Sequence, residues 1–394
     1  MSWLTQITEL SHSQPIAFTI ACLISFAITP VIRERASKMK FEDRGEDRPY
    51  PGIPRLGGIA ILVAIITTIA FYLVFYGRYT PTGIKHLELE GMITGALIIF
   101  FIGLLDDIKP IAAPVKLLGQ VAAALLAWAM NVRIEFLANP IHYIDHARTA
   151  AIPLDDLTSL IITVVFMVAI TNAINLIDGV DGLAVGVTII ACSASWAINL
   201  SPILNQPAGA ILAATLAGAC LGFLRYNFNP ARIFLGDNGA YLLGFLLACI
   251  SCIGLTKKVT VVTLSPIIVL IFAIPILDIV LAVIRRASRN RPIMKPDLEH
   301  LHHQLEDQGF SHKQINYVFY GITFIAGLIG TSLLGLDIAA EYLIICGSIL
   351  TIWLVFSLVL NRKKQRSENP AIIKPRVNRK RTRNQNPRPA HNPQ

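Results

Sequence analysis

The sequence predicts an all-α integral membrane protein that crosses the bilayer about eleven times, N-terminus outside and C-terminus in the cytoplasm. Three observations predict it. Of 394 residues, 54% are hydrophobic and only 15% charged, where a soluble domain carries roughly 25% charged residues. The mean hydropathy is +0.59, and a water-soluble fold cannot enclose that much apolar surface. Apolar runs recur from end to end at the length, ~20 residues, that spans ~30 Å of hydrocarbon. The same composition excludes global disorder, coiled coil, collagen and a disulfide scaffold.

The first span, 14–32, is preceded by Glu9 and followed by Arg33, Arg35, Lys38 and Lys40. A cleavable signal peptide has its positive charge first, so this segment reads as a retained helix. Further spans are expected at 57–76, 91–105, 117–137, 158–177, 183–201, 207–226, 238–255, 263–284, 317–335 and 340–360. The third is short, and the junction at 178–182 is tight. All six cysteines lie inside apolar runs. Cys249-Ile-Ser-Cys252 has redox or zinc spacing but no matching pair or histidine near it in sequence, so packing is the favoured reading.

Charge sets the orientation. Loops after odd-numbered spans (33–56, 106–116, 178–182, 227–237, 285–316) and the tail together carry 27 Lys or Arg, against five in the opposite loops. The richer face is cytoplasmic by the positive-inside bias. The chain is then one polytopic domain, 1–360, followed by a basic tail, 361–394, that reads as disordered. The net charge of +9 fits cytoplasmic loops facing anionic lipid. The tail reads as a solvated, topology-fixing segment, with no nucleic-acid partner expected.

The unusual polar residues gather on that same face. Asp106-Asp107 follows the third span; Asn172, Asn175, Asp178 and Asp181 end the fifth; Asn227, Asn229, Arg232, Asp237 and Asn238 follow the seventh. Asp278, Arg285, Arg286, His300, His302 and His303 end or follow the ninth. Carboxylates at helix ends beside amides and glycine turns suit Mg²⁺, which takes one or two carboxylates and fills its shell with water and phosphate. Adding cationic side chains assembles the parts of phosphoryl-type transfer. Ordinary Asx/Gly turns compete at 175–182 and 236–239. Two adjacent carboxylates at a helix C-terminus oppose the macrodipole, which favours function at Asp106-Asp107. They are expected to face one another, leaving one suited to take a proton. His300-Leu-His302-His303 fits no common zinc spacing, so phosphate contact or proton transfer is preferred there. An ion-coupled transporter is the rival class. It requires charged groups near the midplane and commonly shows repeats, neither of which dominates here.

The chain resembles the polyprenyl-phosphate N-acetylhexosamine-1-phosphate transferases (glycosyltransferase family four). The resemblance rests on Pro54-Arg-Leu-Gly-Gly58, Gly103-Leu-Leu-Asp-Asp-Ile-Lys109, Lys116-Leu-Leu-Gly-Gln120, the run Asn172–Leu183, the run Tyr226–Gly239, and Pro296-Asp-Leu-Glu-His-Leu-His-His303. It implies transfer of a sugar 1-phosphate from a UDP-sugar to a polyprenyl phosphate at the cytoplasmic face of the inner (plasma) membrane, releasing UMP. It further implies a requirement for Mg²⁺, with Mn²⁺ as its substitute, and is consistent with a homodimer. By the matching motifs, Asp237 resembles the metal ligand, Asp106 and Asp107 the catalytic pair, and Lys116 the phosphate-binding lysine. Asn175, Asp178 and Asp181 resemble nucleotide-sugar contacts, Phe234 a ring that stacks on uracil, and Asn227 a member of the phosphate region. His300, His302 and His303 resemble contacts to the sugar phosphates. The short link from Asp107 to Lys116 and the interrupted histidine motif are similar to the N-acetylglucosamine branch; the muramoyl-pentapeptide transferases are the alternative. Pro49 departs from the histidine often found there.

Overall fold

In the computed structural model, residues 3–39, 52–75, 86–138, 151–200, 206–255, 305–306 and 308–332 are described. They form nine α-helices and one two-stranded hairpin: α1 (Trp3–Lys38), α2 (Gly57–Phe75), α3 (His86–Ile108), α4 (Ala113–Ala129), β1 (Phe136–Ala138), β2 (Ala151–Pro153), α5 (Asp156–Ile177), α6 (Leu183–Leu200), α7 (Pro207–Asn227), α8 (Gly236–Leu255) and α9 (His312–Ser332). Six of these helices have the length and apolar composition to cross a membrane, and α4 and α6 contribute shorter apolar helices. The expected spans 263–284 and 340–360, and the tail, lie outside the described residues.

Local chemistry explains several helix ends. Pro114 stands in the first turn of α4, where its missing N–H costs nothing. Asp155 caps α5, its carboxylate accepting from the Thr158 amide at 3.1 Å. In α9, Ser311 and Gln314 form a reciprocal capping box: the Ser311 amide donates to Gln314 Oε1 at 3.0 Å, and the Gln314 amide to Ser311 Oγ at 3.4 Å.

Several expected bounds change, most of all at the fourth span. The fourth span ends at Ala129, not 137, because Asn131 turns the chain with a positive φ of 71°. Its side chain donates to buried Glu88 at 3.2 Å. Arg133, expected within or at the end of that span, lies beyond it, paired with Glu135 and Asp156. The apolar residues after Asn131 lead into β1, which pairs antiparallel with β2 in the register Leu137↔Ile152. The described residues are therefore mostly helical, with one short antiparallel strand pair.

Helix α8 is the axis of the bundle. It packs against α2, α3, α5, α6 and α7, and nearly all of it is buried inside the protein. Helix α7 is almost as enclosed, and its longest contact is with α1. Gly218 and Gly222 make that contact possible, since a Cβ at either would lie 2.1 Å from Phe18 O or 2.3 Å from Cys22 O. Where lipid removes the hydrophobic drive for helix association, small residues four apart let backbones approach closely.

Candidate active site

Four helix ends meet at one end of this bundle: the C-termini of α3 and α5 and the N-termini of α4 and α8. Their meeting depends on bare backbone. A Cβ on Gly103 of α3 would lie 2.5 Å from Asn238 Cα of α8. Gly236, with φ +76°, makes the turn into α8 that other residues rarely adopt. The 54–58 run is tied to the same turn: Phe234 N donates to Pro54 O at 2.9 Å, and Gly57 N and Gly58 N donate to Phe234 O and Leu235 O.

The two adjacent aspartates do not face one another. Successive helix residues point about 100° apart, and each carboxylate meets a different helix. Asp107 caps α8, accepting from the Asp237 amide at 3.0 Å and the Asn238 amide at 2.9 Å. A carboxylate there satisfies orphan donors and meets the positive end of the α8 dipole. The expectation of a mutually repelling pair is thereby corrected.

Asp106 turns towards α4. Its Oδ1 accepts from the Ile111 amide at 2.8 Å, and its Oδ2 is ion-paired with Lys116 Nζ. The same ammonium lies 3.5 Å from Asp237 Oδ2. Lys116 thus joins Asp106 and Asp237. Asn175 completes the group, donating to Asp237 Oδ1 at 3.1 Å. Two half-buried carboxylates, an ammonium and an amide thus share one small volume.

That donor set fits Mg²⁺. The cation accepts one or two carboxylates and keeps its remaining positions for water and phosphate oxygen. Among the described residues no cluster of three or more His, Cys, Asp or Glu side chains is present, so an all-protein cage is not what these residues offer. Lys116 supplies a positive charge for phosphate in the same place.

The other expected residues are distributed around this centre. Asp178 is the C-cap of α5, its amide donating to Asn175 O at 3.2 Å. Asn227 is buried and its Nδ2 donates to Ile233 O at 3.0 Å, pinning the loop between α7 and α8. Phe234 is only 8% exposed, its ring enclosed beside that loop. Asp181 accepts through Oδ2 from Asn229 Nδ2 at 3.1 Å and from the Ala231 amide at 3.0 Å. His300, His302 and His303 lie outside the described residues, as do Asp278, Arg285 and Arg286.

Two supports were not foreseen: a pairing between residues the sequence had noted, and the reach of α9. Gln120 and Asn172 exchange amide hydrogen bonds, at 2.6 and 3.3 Å, and so fix α4 against α5. The start of α9 reaches the Asp181 turn: Asn316 Nδ2 donates to Asp181 O at 2.7 Å, and Tyr320 Oη to Gly182 O at 2.6 Å.

A multi-pass membrane bundle with a carboxylate–ammonium centre at one end defines the class. Residues 89–255 match the family model described as glycosyl transferase family 4. The chain is 36% identical over 318 residues to a probable undecaprenyl-phosphate N-acetylglucosaminyl 1-phosphate transferase of Bacillus subtilis, covering 79% of this chain and 82% of the relative. It is 32% identical over 319 residues to a decaprenyl-phosphate N-acetylglucosaminephosphotransferase of Mycobacterium tuberculosis, covering 76% and 77%. A phospho-N-acetylmuramoyl-pentapeptide-transferase of Staphylococcus aureus is 30% identical over 324 residues, covering 79% and 96%. The chain belongs to glycosyl transferase family 4.

Proposed function

We propose that this protein transfers an N-acetylhexosamine 1-phosphate, GlcNAc 1-phosphate in the first instance, from a UDP-sugar to a polyprenyl phosphate such as undecaprenyl phosphate. The observation that carries this reading is the Asp106–Lys116–Asp237 cluster with Asn175 beside it. It stands at the end of a membrane bundle, where a lipid phosphate is within reach. The names of the Bacillus and Mycobacterium relatives, which join a polyprenyl phosphate to N-acetylglucosamine phosphate, support it.

In this reaction an oxygen of the lipid phosphate bonds to the sugar-bearing phosphorus of the donor. The bridging P–O bond to UMP breaks, leaving a lipid diphosphate sugar. Asp237, with Asp106 beside it, is the residue assigned to Mg²⁺ or Mn²⁺. A bound divalent cation would supply neutralisation of the diphosphate charge. Lys116 balances both carboxylates and attracts the phosphate, and Asp106 orients the acceptor or takes its proton. Asp107 acts by holding the α8 N-terminus, which fixes Asp237. Asn175, Asp178, Asp181 and Phe234 are assigned to the nucleotide-sugar, Asn227 to the phosphate region, and His300, His302 and His303 to the sugar phosphates. The reading includes an inner-membrane location with this end in the cytoplasm, and a homodimer.

The test is direct. Purified protein given UDP-GlcNAc, undecaprenyl phosphate and Mg²⁺ should release UMP in step with a lipid-linked sugar. Turnover of UDP-N-acetylmuramoyl-pentapeptide alone would favour the second reading, which the Staphylococcus relative supports. Absence of both UMP release and lipid-linked product with either donor would overturn the transferase assignment.

A further inference from the structure

Beside the catalytic cluster, three chain segments are joined by one histidine that the reaction does not use. His312 is the first residue of α9, fixed there by the Ser311–Gln314 capping box. Its Nε2 lies 3.0 Å from Glu306 Oε1. Its Nδ1 lies 3.3 Å from Asn229 Nδ2. That same amide nitrogen donates to Asp181 Oδ2.

Hydrogen accounting fixes the arrangement. An amide NH₂ has two hydrogens and no lone pair to offer. One hydrogen of Asn229 goes to Asp181. The other can go to His312 only if Nδ1 is bare, which requires the neutral imidazole carrying its hydrogen on Nε2, directed at Glu306. Every group is then satisfied. Protonating Nδ1 sets N–H against N–H. Flipping the Asn229 amide would relieve that contact but turn its oxygen towards the Asp181 carboxylate.

We propose that neutral His312 is a positioning residue for the donor side of the site, holding Asn229 and through it the Asp181–Gly182 turn, and that protonation of His312 releases this hold. This rests on the reading of that turn as a nucleotide-sugar contact. The acidic groups facing His312 among the described residues are Glu306, from the segment before α9, and Asp181, from the turn between α5 and α6; Lys313 is its neighbour on α9. The Glu306 hydrogen bond, opposed by burial and aided by the charges of Glu306 and Asp181, raises His312 above the ordinary imidazole value. Protonation therefore sets in at a higher pH than for a free imidazole.

Two effects of acidification then have opposite signs. A histidine whose folded pKa is raised stabilises the fold below its unfolded pKa, and this contribution fades as pH rises through the folded value. Acidification should thus raise the melting temperature through His312 while weakening the donor-side turn. A purely structural histidine would move both the same way.

The experiment uses the full chain in lipid nanodiscs between pH 5.5 and 8. Hydrogen exchange at the Ala231 amide, corrected for its intrinsic pH dependence, reports the turn without any ligand. UDP-GlcNAc affinity reports its use. In the wild type, acidification should speed Ala231 exchange and weaken UDP-GlcNAc binding by about five-fold, the loss of roughly one neutral hydrogen bond. His312→Asn keeps an acceptor near the Nδ1 position without a titrating ring, and should flatten both profiles near the wild-type value at pH 8. His312→Leu should show weak binding at every pH, and Glu306→Gln should move the transition to lower pH. Flat wild-type exchange across the range, or His312→Asn retaining the wild-type profile, would overturn the assignment. Absence of UDP-GlcNAc binding at any pH would instead overturn the proposed donor, with the exchange result still deciding the role of His312.

Discussion

Lys116 is the residue on which the two halves of the site balance. Its ammonium stands between Asp106 and Asp237, so each aspartate can be removed with a distinct result. Asp237→Asn should abolish turnover and blunt the response to Mg²⁺ while the bundle keeps its shape, as measured by UMP release across a Mg²⁺ titration. Near-normal rates at low Mg²⁺ would refute the metal assignment. The adjacent pair should separate by readout. Asp106→Asn should cut turnover strongly and leave the melting temperature close to wild type. Asp107→Ala strips the acceptor from two α8 amides, and should cost about 1–2 kcal/mol of stability, seen as a lower melting temperature. The sequence singled these residues out, but not the direction in which each carboxylate turns. Asp106-Asp107 reads as one feature in a string, whereas the helix turns one towards α4 and the other towards α8.

At the scale of elements, hydropathy placed α2, α5, α6, α7 and α8 within two residues of their ends. It misplaced α3 and α4 for a common reason. Helix α3 begins at His86 rather than 91, because Glu88 and Glu90 depress the apolar signal although Glu88 is buried against Asn131. Helix α4 appeared to continue because Val132, Ile134 and Phe136 are apolar, but they lead into the hairpin. Charge inside a helix and apolarity outside one both defeat a window average. The contact that brings α3 to α8 rests on Gly103. Gly103→Val would drive its side chain into the Asn238 backbone, only 2.5 Å from the position of Cβ. That variant should lose most turnover and melt at lower temperature, whereas a comparable change at Gly321, where no heavy atom lies within 4 Å, should leave melting nearly unchanged. Equal effects at the two positions would refute the close-approach argument.

At the scale of the whole molecule, the charge count gives a topology to measure: a reporter after residue 360 should register as cytoplasmic and one at the N-terminus as external. Both termini on one side would shift the span count by one. The enclosure of α8 bears on something different, the order in which the protein is made. Of the six candidate spans it is the least apolar and the most enclosed, and Asp237 and Asn238 stand in its first turn. A nascent helix of that kind gains little from lipid alone. Among the described elements, its main partners α2, α3, α5, α6 and α7 precede it in the chain, so each leaves the ribosome before it does. Asp107 is 130 residues ahead of the amide it caps, already present at the membrane when the α8 N-terminus emerges. Asp237 thus enters the bilayer beside helices made earlier in synthesis, and the chain order itself shelters the least apolar of the described candidate spans.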